Sequence, residues 1–440
     1  MSAQKTLQER ITNREAKIGV VGLGYVGLPL AMAFAQAGFP VTGLEREAQK
    51  VESLKRGESY LKHISSGTLG PLVRSGKLTA TDDYSVVAEL DCILICVQTP
   101  LTSAREPDLT HIIEAGHSLR PHVRPGHLFV LESTTYPGTT DEVLRPLLER
   151  EGLMAGKEFN LAFSPERQDP GNEQHSAKTI PKVVGGHTPG CLEMALSLYA
   201  TAMDQVVPVS GTRVAELSKL LENIFRCVNI ALVNELKVLC DRMNLDVWEV
   251  IQAASTKPFG FMAFSPGPGL GGHCIPVDPF YLTWKARQFD VQTKLIELAG
   301  EVNSAMPDYV VQRTMESLND HRKALNGSRV LVIGAAYKKD IDDVRGSPSL
   351  RIIALLNRKG ALVDYHDPFV EKLEPSPGFE LTLNSVSLEP ERLRSYDAVL
   401  IVTDHSCIDY ANLVQQASLV IDTRNATQKV KRGREKIVRA

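Results

Sequence analysis

The chain has 440 residues, 43% of them hydrophobic and 23% charged, with a formal net charge of -3 at pH 7. One hydrophobic core rarely serves such a length, so two or three domains are expected. The small net charge makes no electrostatic case for nucleic acid or a membrane surface, and no run of about 18 apolar residues suggests a spanning helix. The first 17 residues are polar and do not read as a secretory signal. Seven cysteines occur without a CxxC pair. That odd count without metal-like spacing argues for reduced thiols in the cytoplasm and no metal site. Six of them lie in apolar or amphipathic stretches and are expected in the core. Cys274 does not.

Along the chain, the apolar run Lys17–Val21 stops at a glycine turn, GLGYVGLPLAMAFAQAG reads as turn plus amphipathic helix, and Phe39–Leu44 reads as a second strand. Strand candidates follow at Cys92–Val97 and Leu128–Glu132, with helical patterns between them. This alternation predicts a parallel, doubly wound sheet. From Val214 to Met243 there is no Pro or Gly, and Leu217, Leu220, Leu221, Ile224, Val228, Leu232, Leu236 and Leu239 recur at helical spacing. One helix of about 45 Å is expected, apolar on more than one face and so placed at a domain junction or subunit interface. Beyond Asn326, RVLVIGAAYKKD repeats the strand-then-glycine plan, with strands at Ala361–Tyr365, Ala398–Val402 and Leu419–Ile421 and a surface loop at Glu374–Gly378. The basic run Lys429–Arg439 reads as a solvated C-terminus. The expected fold class is α/β: two Rossmann-like doubly wound domains, residues 1–209 and 326–440, joined by a helical middle domain, 210–325, with a long central helix.

Gly22, Gly24 and Gly27 form GxGxxG directly after a strand and at the start of a helix. The first permits the tight turn, the second lets backbone approach a pyrophosphate, and the third lets helix and strand pack closely. The helix N-terminus adds free N–H groups and partial positive charge. Glu45 ends the second strand about 20 residues on, where a ribose hydroxyl acceptor is needed. Its carboxylate would repel the 2′-phosphate of NADP, so NAD is expected, although Arg46 stands beside it. In the second turn Gly334 is followed by Ala335 and Ala336, whose Cβ atoms occupy the place of bare backbone. That turn is not expected to hold NAD in the same way.

PGPGLGGHCIPVDP, from Pro266 to Pro279, surrounds Cys274 with glycines. An accessible thiol there is a candidate nucleophile, weighed against a packing cysteine beside a turn. His273 is more simply structural. Lys219 and Asn223 are four apart on the long helix and share a face, where an ammonium and an amide could stabilise an oxyanion; the plainer alternative is an exposed lysine. Glu166 lies in FSPERQDPGN, between Pro165 and Pro170, where a carboxylate could act as general base on water. Ser133 and Thr134, after a strand, could position that water. A turn residue and a capping hydroxyl are the plain alternatives.

The motifs together, GLGYVG, VQTP, ESTTYPG, SPE, ELSKLLEN, GGHCIPVD and AYKKDIDDVRGSPS, occur in an order that resembles the UDP-glucose/UDP-mannose dehydrogenase family over nearly the whole chain. PGPGLGGHCIPVDPFYLTWKAR and SPERQDPGN most resemble the bacterial branch acting on UDP-N-acetylglucosamine. The resemblance implies that Cys274 is the nucleophile, that Lys219, Asn223 and Asp278 stabilise oxyanions and handle water, that Glu166 sits next to sugar and water, and that Thr134 orders the hydrolytic water. It implies NAD contacts from Gly22, Gly24, Tyr25, Val26, Gly27, Glu45, Thr99, Thr134 and Arg345, and nucleotide-sugar contacts from Glu166, Lys219, Asn223, Gly271, Lys338 and Arg424. The UDP-glucose branch carries a second glutamate where this chain has Pro170, with Asp169 beside it, and an arginine where it has Pro258; a pocket remodelled for an N-acetyl group is implied.

The expected activity is four-electron oxidation of the C6 hydroxyl of a UDP-sugar, UDP-N-acetylglucosamine before UDP-glucose, UDP-N-acetylgalactosamine or UDP-N-acetylmannosamine, in a cytoplasmic homodimer or higher homo-oligomer. A two-electron hydroxyacid dehydrogenase of the 6-phosphogluconate type also places Lys and Asn one helical turn apart but needs no cysteine. A nucleotide-sugar-binding regulator without chemistry would not require Cys274, Lys219 and Asp278 together.

Overall fold

The computed structural model describes residues 3–61, 64–102, 104–167, 178–272 and 275–440. The chain divides into two compact units, Met1–Glu222 with Phe280–Asp290, and Asn223–Pro279 with Val291–Ala440.

The first unit is built on eight strands: β1 (Ile18–Val21), β2 (Val41–Leu44), β3 (Leu78–Thr81), β4 (Cys92–Ile95), β5 (Leu128–Leu131), β6 (Asn160–Phe163), β7 (Lys182–Gly186) and β8 (Val206–Val209). Their order in the sheet is β3-β2-β1-β4-β5-β6-β7-β8. Neighbouring strands are parallel except β6 and β7, which pair antiparallel. The central strands read as continuous apolar runs because both faces are covered. Alternate side chains divide between two cores. Val20, Leu94 and Val130 pack with the helices Gly27–Gln36 and Pro189–Tyr199 on one face. Val21, Ile93, Ile95, Phe129 and Leu131 pack with the helix Thr110–Leu119 on the other. The short strands β3, β6, β7 and β8 were not expected from the sequence; each has only four or five residues.

In the second unit, β9 (Arg329–Ile333), β10 (Leu362–His366), β13 (Ala398–Ile401), β14 (Val420–Asp422) and β15 (Ile437–Arg439) form a parallel sheet in the order β10-β9-β13-β14-β15, and β11 (Lys372–Leu373) and β12 (Leu383–Asn384) pair antiparallel beside it. Val330 and Val332 face one core and Leu331 and Ile333 the other. Two expectations are corrected here. The basic run Lys429–Arg439 does not end as a solvated tail: β15 pairs with β14, and Arg439 is ion-paired with Asp246. Backbone pairing, indifferent to side-chain charge, holds it. Cys407 is exposed, whereas the other five described cysteines are buried; it lies in the turn that follows β13, after the chain has left the core.

The long helix runs Thr212–Met243, 32 residues. Ala215, Leu220, Ile224, Cys227 and Ala231 are buried, while Leu217, Leu221, Phe225, Leu232, Leu236, Leu239 and Met243 are exposed. The exposed set recurs at three-, four- and seven-residue intervals and so forms one stripe along the helix. Among the described residues no helix is long and apolar enough to cross a membrane.

Candidate active site

The first glycine turn has the stereochemistry its spacing predicts. Gly22 has φ +86°, and a Cβ there would lie 2.7 Å from the carbonyl oxygen of Cys96. A Cβ on Gly27 would lie 1.8 Å from the carbonyl oxygen of Gly22, so helix and strand meet only because no side chain intervenes. A Cβ on Gly24 would meet nothing within 4 Å. The backbone at Gly24 is therefore open to a ligand, while the other two positions are closed by the protein itself. Tyr25 and Val26 complete the turn, half-buried. Glu45, 9% exposed, accepts the N–H of Leu23 at 3.0 Å and of Glu47 at 3.2 Å, which holds its carboxylate at the turn. Arg46 is turned to Glu114, at 2.6 Å, and Ser118. Open backbone at Gly24, a helix N-terminus and a fixed carboxylate fit NAD.

The second turn differs for a physical reason. The N–H groups of Ala335 and Ala336 donate to one oxygen of Asp367, at 2.7 and 3.0 Å. His405 Nδ1 accepts the N–H of Asp340, so Nε2 carries the proton and donates to Asp367 at 3.0 Å. Burial would raise the Asp367 pKa, but these donors outweigh it and hold the carboxylate ionised. An internal anion occupies the donors that a pyrophosphate would use.

Elsewhere in the first unit, Thr99 Oγ1 donates to the carbonyl of Thr134 at 2.8 Å, Ser133 Oγ to that of Val97 at 2.7 Å, and Tyr281 OH to that of Thr99 at 2.9 Å. The VQTP and ESTT segments are thus tied together, with Thr134 half-buried. Glu132, just before them, is joined to Lys182 at 2.6 Å and accepts from Tyr199. Glu166 is half-buried and accepts the N–H of Arg167 at 2.7 Å. Arg167 in turn reaches Glu222 at 2.7 Å. Asp169 and Pro170 lie outside the described residues. Glu216 on the long helix, fully buried, accepts from Gly138 N at 2.6 Å, Thr140 N at 2.9 Å and Thr140 Oγ1 at 2.7 Å. Burial pushes its pKa up to about 7.

Lys219 is 6% exposed, and among the described residues it has no hydrogen-bond or ion-pair partner. An ammonium taken from water without a partner is costly, and such a group is usually retained for a ligand. One turn on, Asn223 is fully buried. Its amide N–H donates to Asp278 on the helix Asp278–Arg287, and its carbonyl accepts from Arg226. The arginine fixes the amide orientation. One amide proton is used by Asp278, and no partner among the described residues takes the other.

Cys274 and His273 lie outside the described residues. The glycines before them are held within the second unit. Gly267 N donates to Asn234 at 2.9 Å, and a Cβ on Gly267 would stand 2.5 Å from Arg424 Nη1. A Cβ on Gly271 would stand 2.5 Å from Tyr337 Cβ. Gly272, with φ +83°, donates its N–H to the carbonyl of Arg345 at 3.0 Å. The glycine-rich segment is therefore tightly seated. It brings Gly271 to Tyr337 and Gly272 to Arg345, beside half-buried Lys338, and Gly267 to Arg424. The Arg345 guanidinium is itself paired with Asp343 at 2.6 Å, and Arg424 reaches Asp404 at 3.3 Å.

Sequence reasoning did not single out Glu132, Lys182, Glu216 or Arg226. A signal existed for the first two: a charge at the end of the apolar run LFVL and another at the start of KVVGG. Glu216 and Arg226 look like ordinary polar positions of a helix.

Residues 16–203, 213–305 and 331–429 match the NAD-binding, central and UDP-binding domain models of the UDP-glucose/GDP-mannose dehydrogenase family. The family's mannose nucleotide is thus GDP-mannose, not the UDP-mannose of the sequence comparison. The chain is similar to a UDP-N-acetyl-D-glucosamine 6-dehydrogenase of Pseudomonas aeruginosa, 33% identical over 395 residues, covering 89% of this chain and 91% of that one. Its fold is similar to that of a UDP-D-ManNAc dehydrogenase from Pyrococcus horikoshii, with TM-score 0.85, 30% identity and coverage of 96% and 98%. A solved NDP-N-acetyl-D-galactosaminuronic acid dehydrogenase from Methanosarcina mazei Go1 gives TM-score 0.81, 31% identity and coverage of 100% and 97%.

Proposed function

The chain belongs to the UDP-glucose/GDP-mannose dehydrogenase family of NAD-dependent oxidoreductases, and from that premise we propose that it oxidises C6 of UDP-N-acetylglucosamine from alcohol to carboxylate. The observation that carries this reading is the buried Lys219, without a partner among the described residues, one helical turn before Asn223, whose amide is held by Asp278. NAD bound at the Gly22–Gly27 turn supplies the hydride acceptor, and two equivalents are consumed for each sugar. Lys219 and the remaining N–H of Asn223 donate to the C6 oxygen as negative charge develops on it. The Cys274 thiolate adds to the C6 aldehyde to form a thiohemiacetal, and loss of a second hydride from that carbon leaves a thioester. Glu166 or Asp278 takes a proton from a water oriented by Thr134. That water adds to the thioester carbonyl, the C–S bond breaks, and the uronic acid leaves with the thiolate restored. Gly271, Lys338 and Arg424 bind the nucleotide sugar, and Thr99 and Arg345 serve the cofactor. In this reading residues 1–209 hold NAD, 210–325 carry the catalytic and dimerising helices, and 326–440 bind UDP.

UDP-N-acetylmannosamine is the second reading, favoured by the similarity to the Pyrococcus horikoshii enzyme. The exposed apolar stripe of the long helix suits a second copy of the chain, and buried free thiols suit a cytoplasmic enzyme. The test is a panel of UDP-sugars ranked by kcat/KM from NADH absorbance, with two NADH expected per sugar. One NADH per sugar would exclude the thioester route. Cys274→Ser should nearly abolish acid formation and leave NAD binding intact.

A further inference from the structure

Lys182, at the start of β7, is almost wholly enclosed; its side chain is 5% exposed and that of its partner Glu132 is 0%. Three acceptors surround the ammonium: Glu132 at 2.6 Å, the carbonyl of Pro165 at 3.1 Å, and Glu166 at 3.8 Å. Two of the three belong to the segment that carries the proposed base. Glu132 leads directly into Ser133 and Thr134. One cation therefore ties the end of β5, the SPE segment and β7. A buried ion pair adds little net stability over well-packed apolar side chains, so a fold-holding role alone does not account for a charge at this place.

We propose that Lys182 is a positioning residue for Glu166: its ammonium, anchored by Glu132, holds the Pro165–Glu166 backbone in place and sets a fixed positive charge 3.8 Å from the Glu166 carboxylate. The inference rests on Glu166 serving as the base toward water. Among the described residues, the other titratable groups around this cluster are Glu132 from the end of β5, Cys96 from the end of β4 and Tyr199 from the helix Pro189–Tyr199. Arg167 lies beside Glu166 and is bound to Glu222 of the long helix. Burial works against charge on Lys182, and the two carboxylates outweigh it, so the ammonium stays protonated. Since two carboxylates share one ammonium, changing either partner alters the charge that faces Glu166 in a defined direction. Removing Lys182 takes away the positive charge beside it, and removing the Glu132 charge leaves the ammonium to Glu166 alone.

The experiment is the pH profile of kcat with saturating UDP-sugar and NAD, read at its acid limb, for Glu132→Gln, Lys182→Arg and the double variant Lys182→Met with Glu132→Gln. The acid limb should move down in Glu132→Gln and up by about one pH unit in the double variant. It should stay in place in Lys182→Arg, with KM for the sugar within about twofold throughout. Should the double variant fail to fold, the opposite shift in Glu132→Gln still decides the matter. An unmoved or upward limb in Glu132→Gln overturns the inference. Glu166→Gln separates this from the reading beneath it. If Glu166→Gln keeps the native acid limb, Glu166 is not the base. If it loses the limb while the Glu132 and Lys182 variants leave it unmoved, only the role of Lys182 fails.

Discussion

The side-chain amide of Asn223 donates to the carboxylate of Asp278, joining residues 55 positions apart in sequence. Arg226 donates to the other end of the same amide, so Asn223 is fixed in one orientation. A replacement that removes the acceptor tests this. Asp278→Leu leaves the Asn223 N–H without its carboxylate and should lower kcat by about 10²–10³-fold. NAD affinity, read by fluorescence titration, should not change.

The three glycines of the first turn should respond differently to one added methyl. Gly24→Ala meets no protein atom within 4 Å, so the melting temperature should hold. The methyl would stand where the pyrophosphate approaches, and KM for NAD should rise at least tenfold, about 1.4 kcal/mol. Gly27→Ala would place Cβ 1.8 Å from the Gly22 carbonyl and should lose about 3 kcal/mol of stability in denaturant titration. Equal melting temperatures for the two variants would contradict the geometry.

Glu216 makes stability depend on pH. Its folded pKa is raised from 4.5 to about 7 by burial, against three hydrogen bonds that favour the charged form. A folded state that binds the proton more tightly is most stabilised where both states are protonated, below about 4.5. That contribution falls as pH rises toward 7 and is flat above. The full span is about 3 kcal/mol, at 1.36 kcal/mol per pH unit. Denaturant titrations between pH 4.5 and 8 should show the slope, and Glu216→Gln should remove it. The variant should also lose about 1–3 kcal/mol, because an amide N–H would face the N–H donors of Gly138 or Thr140.

Self-association is expected to depend on the exposed stripe. Leu232 is 57% and Leu239 50% exposed, and carboxylates there would be buried unpaired in a dimer. Leu232→Glu with Leu239→Glu should halve the mass measured by light scattering and leave the circular dichroism spectrum unchanged. A native mass would place the interface elsewhere.

Much of this protein is written in local patterns. The glycine spacing, a carboxylate closing the second strand, the break-free apolar helix and the Lys219–Asn223 interval depend on neighbours within a few turns, so they can be read from the chain in order. The ordered motifs pointed to the family in the same way. Tertiary structure decided what depends on partners far apart. Only burial distinguishes Lys219 from an exposed lysine. Glu132 meets Lys182 across 50 residues, and Asp367 captures the N–H groups of Ala335 and Ala336 across about thirty. The run ending at Arg439 became a strand because β14 offered an open edge, which no local property of a basic segment reveals. Periodicity reports which face of an element is apolar; it carries no information about which distant polar group will neutralise a charge once water is removed.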